Sequence, residues 1–326
     1  MDEEMDGLRK WLLSILLILW AGLVAAGCGT GDKAPTKSPA SKGTEKIVIG
    51  LMPDIDSLPF VIAQEKGFFK DEGVEVRLLP FKSAMERDAA LQSGNLDGAV
   101  SDLLAAAFAK SGGFDVKVTS ATDGIYRLLA GPGETAADVA ALAGKEVAVS
   151  KNTIIEYVTD QILHANHMSE NSVKKIVIPQ IPTRLELLQQ GKLSAATLPE
   201  PLASVAVHHG CRYLVGSDDL GIRPGVMLFT KNAVDTKREQ VRAVYRAYNK
   251  AVRYLKETPR AAYIDVAVEK SGFPPVAKEA LVLPAYHEAR LPEERDVVAC
   301  IAWLKEKHLI ETPYTYQDIV TKDCLP

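Results

Sequence analysis

The chain lacks a basic surplus. Its formal net charge of −4 and pI near 5.9 give no electrostatic footprint for nucleic acid. Aromatic residues, at 6%, are spread along the sequence and form no base-stacking set, so no nucleic-acid partner is expected. GxSxG, Walker and dinucleotide fingerprints are missing, which removes the signatures of serine hydrolases and phosphate-cradling nucleotide enzymes. Cysteine is scarce: Cys28, Cys211, Cys300 and Cys324 fall in no CxxC or Cys/His spacing, so no metal and no cofactor are expected. Beyond Cys28 the cysteine count is odd and leaves at least one thiol unpaired within the monomer, with Cys300 and Cys324 able to bridge the last helix to the tail. His164 with His167, and His208 with His209, are too few imidazoles for a closed metal site and read as exposed helix residues.

No apolar run reaches the roughly 20 residues of a comfortable membrane span. The longest, 11–26, follows Arg9 and Lys10 and ends in small residues at Ala25-Ala26-Gly27-Cys28. It resembles a bacterial lipoprotein signal, which implies cleavage before Cys28, acylation of that cysteine, and a lipid-anchored body in the cell envelope outside the cytoplasmic membrane. Ala25 stands where such signals usually carry leucine, and the acidic leader Asp2, Glu3, Glu4 and Asp6 raises Met5 as an alternative translation start. An uncleaved signal anchor is the rival reading and gives the same compartment. Residues 28–44, rich in Lys, Pro, Ser, Thr and Gly, read as a flexible tether.

What remains has 47% hydrophobic and 25% charged residues, enough to bury two cores of ordinary size. Residues 47–69, IVIGLMPDIDSLPFVIAQEKGFF, predict a buried strand (47–51), a polar turn (53–57) and a helix (58–66) stopped by Gly67. The turn holds Asp54, Asp56 and Ser57. A turn between the C-terminal end of a parallel strand and the next helix is where open α/β sheets bind ligands; capping of the helix is the simpler reading of any single Asp or Ser there. Similar turns recur. Strands are expected at 74–80, 96–100 and 115–120, with helices at 84–92, opened by Ser83 with Glu86 as a capping box, and at 102–110. After a strand at 125–130 and the breaker Gly131-Pro132-Gly133 the plan repeats. Strands are expected at 146–149, 175–178, 195–198 and 213–215, with helices at 139–142, 154–167, 183–190 and 201–208. A strand at 226–231 precedes the amphipathic helix 237–257, in which Tyr245, Tyr248 and Tyr254 read as packing residues, and a helical tail expected to fold back on the first lobe. The β-α-β order predicts parallel sheets.

The phrases at 46–81, ALQSGNLDGAVSD, LAGKEVAVSKNTIIEYV, LELLQQGKLSAATLPEPLAS and WLKEKHLIETPYTYQDIV are similar to those of periplasmic substrate-binding lipoproteins of ABC importers. The nearest group is that for taurine, alkanesulfonate, nitrate and thiamine-pyrimidine precursors. The resemblance implies a two-lobed α/β periplasmic-binding-protein fold (type II, Venus-flytrap), with 45–124 and 225–326 as lobe 1, 125–224 as lobe 2, and two crossings as a hinge. It implies a small-molecule ligand between the lobes, delivery to a membrane permease with its ATPase, a monomer, and no enzymatic activity. Matching loops nominate Asp54, Asp56, Ser57, Ser83, Met85, Ser101 and Asp102 from the first lobe. From the second they nominate Asn152, Thr153, Glu156, Pro199 and Glu200, with Glu200 facing the cleft; Ser150 lies in the same loop as Asn152.

Acidic side chains are costly to bury unless something neutralises them. With Asp54, Asp56, Asp102 and Glu200 in the cleft, the expected solute is neutral or amino-bearing, such as an aminopyrimidine or other nitrogen heterocycle. Pairing of these acids with Arg87, Arg127 and Arg184 is the counter-reading, and a sulfonate or nitrate anion the alternative ligand. Two further readings stay open: an enzyme on the same fold, of the pyrimidine-synthase or menaquinone-pathway type with Asp102 or Glu156 as general base, and a sensory module handing its ligand to a membrane receptor.

Overall fold

The structure is a computed structural model that describes residues 46–326. The expectations for the signal, for Cys28 and for the tether lie outside the described residues.

Apolar runs rich in Val, Ile, Leu and Ala make up two five-stranded sheets. The first is built from β1 (Ile47–Leu51), β2 (Val76–Pro80), β3 (Gly98–Asp102), β4 (Val116–Ala121) and β10 (Gly225–Thr230), in the order β2-β1-β3-β10-β4. The second is built from β5 (Tyr126–Ala130), β6 (Glu146–Val149), β7 (Lys174–Val177), β8 (Ala195–Pro199) and β9 (Arg212–Gly216), in the order β7-β6-β8-β5-β9. In each sheet three strands pair in parallel, and the fourth in the order runs antiparallel to both its neighbours.

These antiparallel strands, β5 and β10, correct the expectation of parallel sheets. Each is the strand by which the chain enters one sheet after leaving the other. It starts at the end of the sheet where the parallel strands finish, beside the neighbouring lobe, so it must run against them. Its sequence carries no mark of this, because a buried strand reads as the same apolar run in either direction.

Helices cover both faces. The Leu58–Glu65 and Arg238–Glu257 helices pack together on the first sheet, with Phe60 and Tyr248 at 5.0 Å between ring centroids and Tyr245 buried beside them. The helical tail differs from expectation. The Glu294–Glu306 helix packs against the first-lobe Leu103–Ser111 helix, yet its Trp303 meets Tyr157 of the second-lobe Ile154–Ala165 helix edge-on at 5.7 Å. Val268, Phe273 and Ala277 join the second-lobe core around Leu185 and Leu198. The tail therefore bridges both lobes, because its apolar stripes are too wide for one sheet's helical layer to cover.

Two smaller expectations are also corrected. Ser83 accepts a hydrogen bond from the Glu86 amide at 3.3 Å, but the Glu86 carboxylate accepts from the Lys82 amide at 3.2 Å instead of closing the reciprocal capping box. Cys211, Cys300 and Cys324 are free and buried; Cys300 and Cys324 belong to different core clusters, which keeps them from bridging.

Candidate functional site

Where the C-terminal ends of both sets of parallel strands face each other, a closed cavity of about 30 Å³ lies between the lobes. The first lobe contributes Met52, Asp54, Arg87, Ser101 and Asp102 to its lining, and the second contributes Tyr126, Ser150, Ile155, Pro179, Arg184 and Pro199. Hydrogen bonds cross the junction directly. The Ile55 amide donates to the Glu200 carbonyl at 2.9 Å, the Ile181 amide to the Lys82 carbonyl at 3.1 Å, and Gln180 Nε2 to Glu86 Oε1 at 2.7 Å.

The turn after β1 is knotted by its own side chains. Ser57 Oγ donates to Asp54 Oδ1 at 3.0 Å and accepts from the Met52 amide at 3.0 Å, while the Ser57 amide donates to the same carboxylate oxygen at 3.1 Å. Ser57 therefore fixes the turn and does not cap the helix that follows. Asp54, only 6% exposed, has its carboxyl pushed up to about 6, because burial outweighs these bonds. Asp102 caps the Leu103–Ser111 helix through the Ala105 amide at 2.8 Å and lies 3.7 Å from Arg87 Nη2; burial raises its carboxyl. Arg87 also donates to Asp88 at 2.8 Å and to the Val100 carbonyl at 3.3 Å.

Arg184 has no such acid. It is fully buried, its Nε donates to the Thr197 carbonyl at 3.0 Å and its Nη1 to the Ile178 carbonyl at 2.6 Å.

Of the sequence-nominated residues, Asp54, Ser101, Asp102 and Pro199 line the cavity. The others are engaged elsewhere. Asp56 sits beneath the turn, accepting from Tyr126 Oη at 3.2 Å. Ser83 caps its helix, and Met85 is 67% exposed on the helix surface. Asn152, at φ 58°, donates its amide to Glu156 Oε2 at 2.7 Å, and Thr153 caps the next helix through the Ile155 amide. Glu156 pairs with Lys175 at 3.0 Å and Lys307 at 3.3 Å. Glu200 is turned away from the cavity: it pairs with Arg127 Nε at 2.8 Å and accepts from the Ser204 amide at 3.0 Å, because a fully buried carboxylate needs both partners.

Arg184 had a signal in the sequence. The buried positions of the Ile181–Gln189 helix are Ile181, Arg184, Leu185 and Leu188, so the arginine occupies a place in the apolar stripe. A charged residue at such a position is there for a reason other than solvation.

The crossing segments meet at Asp56. A Cβ on Gly124 would lie 1.8 Å from Asp56 Oδ2, and one on Gly225 3.1 Å from Asp56 Oδ1. Gly124→Ala is expected to destabilise the protein by about 1–3 kcal/mol through overpacking, read as a lowered urea midpoint with unchanged slope. An unchanged midpoint would mean that the carboxylate moves aside freely.

Two mixed α/β sheets facing each other across a lined cleft define the periplasmic-binding-protein fold. The alkanesulfonate-binding protein SsuA from Xanthomonas axonopodis pv. citri, solved with MOPS, is similar at a TM-score of 0.73 and 19% identity, covering 85% of this chain and 98% of that one. The periplasmic nitrate-binding protein NrtA from Synechocystis PCC 6803 is similar at a TM-score of 0.69 and 14% identity, with 86% and 87% covered. The desulfurization enzyme DSZB shares the fold at a TM-score of 0.63 and 13% identity, with 86% and 97% covered. At these identities the likeness shows the fold alone. The chain belongs to the NMT1-like family, whose model matches residues 40–268. No curated protein matches the sequence.

Proposed function

We propose that this protein is the extracytoplasmic solute-binding component of an ABC importer, closing two lobes around one small molecule and delivering it to a membrane permease and its ATPase. The observation that carries this reading is the cavity itself: buried, lined by both lobes, and walled by polar groups that converge from turns after parallel strands. A cavity of about 30 Å³ holds only a few water-sized positions, so a solute enters by separation of the lobes and is enclosed when they return. Lipid attachment at Cys28 and a monomeric state belong to the same proposal.

The ligand is proposed to be amino-bearing, with an aminopyrimidine or other nitrogen heterocycle as the reference compound. Of the four acids expected in the cleft, one supports this. Asp102 and Glu200 have arginine partners, whereas Asp54 lines the cavity without a cation of its own. A ligand N–H donor would meet that carboxylate.

An enzyme on this fold is the second reading. It is favoured by Asp54, whose carboxyl at about 6 is poised to exchange a proton near neutral pH.

Native mass spectrometry of protein purified without refolding, followed by a thermal-shift screen of heterocycles, amino acids and sulfonates, tests the proposal. A co-purifying or stabilising small molecule recovered unchanged is the expected result, since a ligand bound only by the folded state raises its melting temperature. Conversion of the bound compound would move the enzyme reading to the front.

A further inference from the structure

The cavity wall holds two buried hydrogen-bond donors that nothing in the protein satisfies. Arg184 is fully buried and its Nη2 has no partner; Ser101, 5% exposed, has an Oγ equally without one. Both residues line the cavity, one from each lobe. Ordinary packing does not explain them. Buried polar atoms are almost always hydrogen-bonded, and a buried charge left uncompensated is among the costliest arrangements a protein tolerates. The neighbouring guanidinium shows the usual solution, since Arg87 has Asp88 at 2.8 Å and Asp102 at 3.7 Å. Among the described residues no carboxylate pairs with Arg184, and burial alone pulls its guanidinium down to about 9, which leaves it charged at neutral pH.

We propose that the solute carries an oxyanion seated between Arg184 Nη2 of the second lobe and Ser101 Oγ of the first, at the other end from the amino group that meets Asp54. This rests on the solute-binding reading above and adds a second functional group to the ligand: the compound is dipolar. The arrangement also links recognition to closure. Apart, the lobes leave each donor to water; together, they bury a guanidinium that only a ligand acceptor can satisfy. An amine or heterocycle without an acidic group would leave Arg184 unpaired in the closed state and is rejected by that cost. One free Nη2 and one hydroxyl make no planar fork, so the geometry accepts a carboxylate, a sulfonate or a phosphonate. The cavity of about 30 Å³ restricts the choice to compact compounds.

The test is a matched set of probes in a thermal-shift and calorimetric titration of the purified protein. β-Alanine, taurine and 2-aminoethylphosphonate carry an amine with a carboxylate, a sulfonate or a phosphonate. Ethylamine and 4-aminopyrimidine lack the acid, and propionate lacks the amine. At least one dipolar probe is expected to bind about tenfold or more tightly than every probe lacking one group, and the best of the three identifies the oxyanion. Ser101→Ala should weaken that probe about tenfold while leaving the melting temperature of the free protein unchanged, and Arg184→Gln should weaken it more. Because Arg184 also ties down two carbonyls, Ser101→Ala carries the test if the arginine variant does not fold. Equal or tighter binding of ethylamine or 4-aminopyrimidine overturns the oxyanion while leaving solute binding intact. So does unchanged affinity of the dipolar probe in Ser101→Ala. Absence of any response to all six probes overturns the proposal, and together with no co-purifying small molecule it removes the solute-binding reading as well.

Discussion

Replacing Lys307 by methionine is expected to cost about 3 kcal/mol of stability, the low end of the range for removing one partner from a buried ion pair. Lys307 follows the Glu294–Glu306 helix and reaches Asp160 at 3.1 Å, Glu156 at 3.3 Å and Glu170 at 3.0 Å on the second lobe. Asp160 is fully buried, and Trp303 Nε1 donates to it at 3.1 Å. Without Lys307 only Lys175 offsets the two carboxylates Glu156 and Asp160. The low end of the range applies because that lysine remains.

The pH dependence follows from the direction in which each carboxyl is displaced. Hydrogen bonds from the Asn152 amide and Lys175, with the charges of Lys175 and Lys307, overcome burial and hold the Glu156 carboxyl below its usual value. Lys307 does the same for Glu170. A carboxylate with a depressed folded-state pKa contributes stability that is present above the ordinary carboxylate range and is lost as pH falls through the folded value. Lys307→Met should therefore move the midpoint of acid unfolding to higher pH, besides lowering the urea midpoint at neutral pH. If neither moves, the cluster is solvated and does not join the tail to the second lobe.

The second large effect has the opposite sign. Asp56 is 2% exposed, and burial first, then the adjoining charge of Asp54, pushes its carboxyl up to about 8. Its folded state holds a proton that the unfolded state releases near pH 4. Stability is then complete below the unfolded value and falls as pH rises through the folded one. Wild-type protein should lose melting temperature between pH 6 and 9, and Asp56→Asn should abolish most of that loss. Because each tenfold difference in proton affinity between the folded and unfolded states is worth roughly 1.4 kcal/mol, the variant should be more stable than wild type at pH 9 by at least about 2 kcal/mol. A parallel pH profile for the two proteins would show that Asp56 is not the group that titrates. Because the Tyr126 hydroxyl donates to Asp56 across the crossing segments, the same variant also asks whether the ionised form loosens the junction. Faster ligand release from wild type at pH 9, absent in the variant, would answer yes.

Much of the architecture was legible from local pattern. β1 and β6 and the Ala84–Gln92 helix begin and end where the apolar runs and their punctuation place them. That is because strand and helix periodicity, Gly67 at φ 76° and the Ser83 cap are local properties that tertiary context did not override. The positions of the cavity turns were legible for the same reason: they follow parallel strands and open helices.

Tertiary structure decided three things that no local pattern encodes. It set the direction of β5 and β10, since a fully buried strand has no polar face to betray which way it runs. It set the partners of the acids. Asp102 and Glu200 look free in sequence and are paired in space with Arg87 and Arg127, each distant along the chain. It also left Arg184 and Ser101 unsatisfied on opposite walls of one cavity. The sequence determined which charged and polar groups exist and near which turns they stand. Whether a buried charge finds a partner depends on a few ångströms across a junction between lobes, and only the packing of the two sheets supplies that distance.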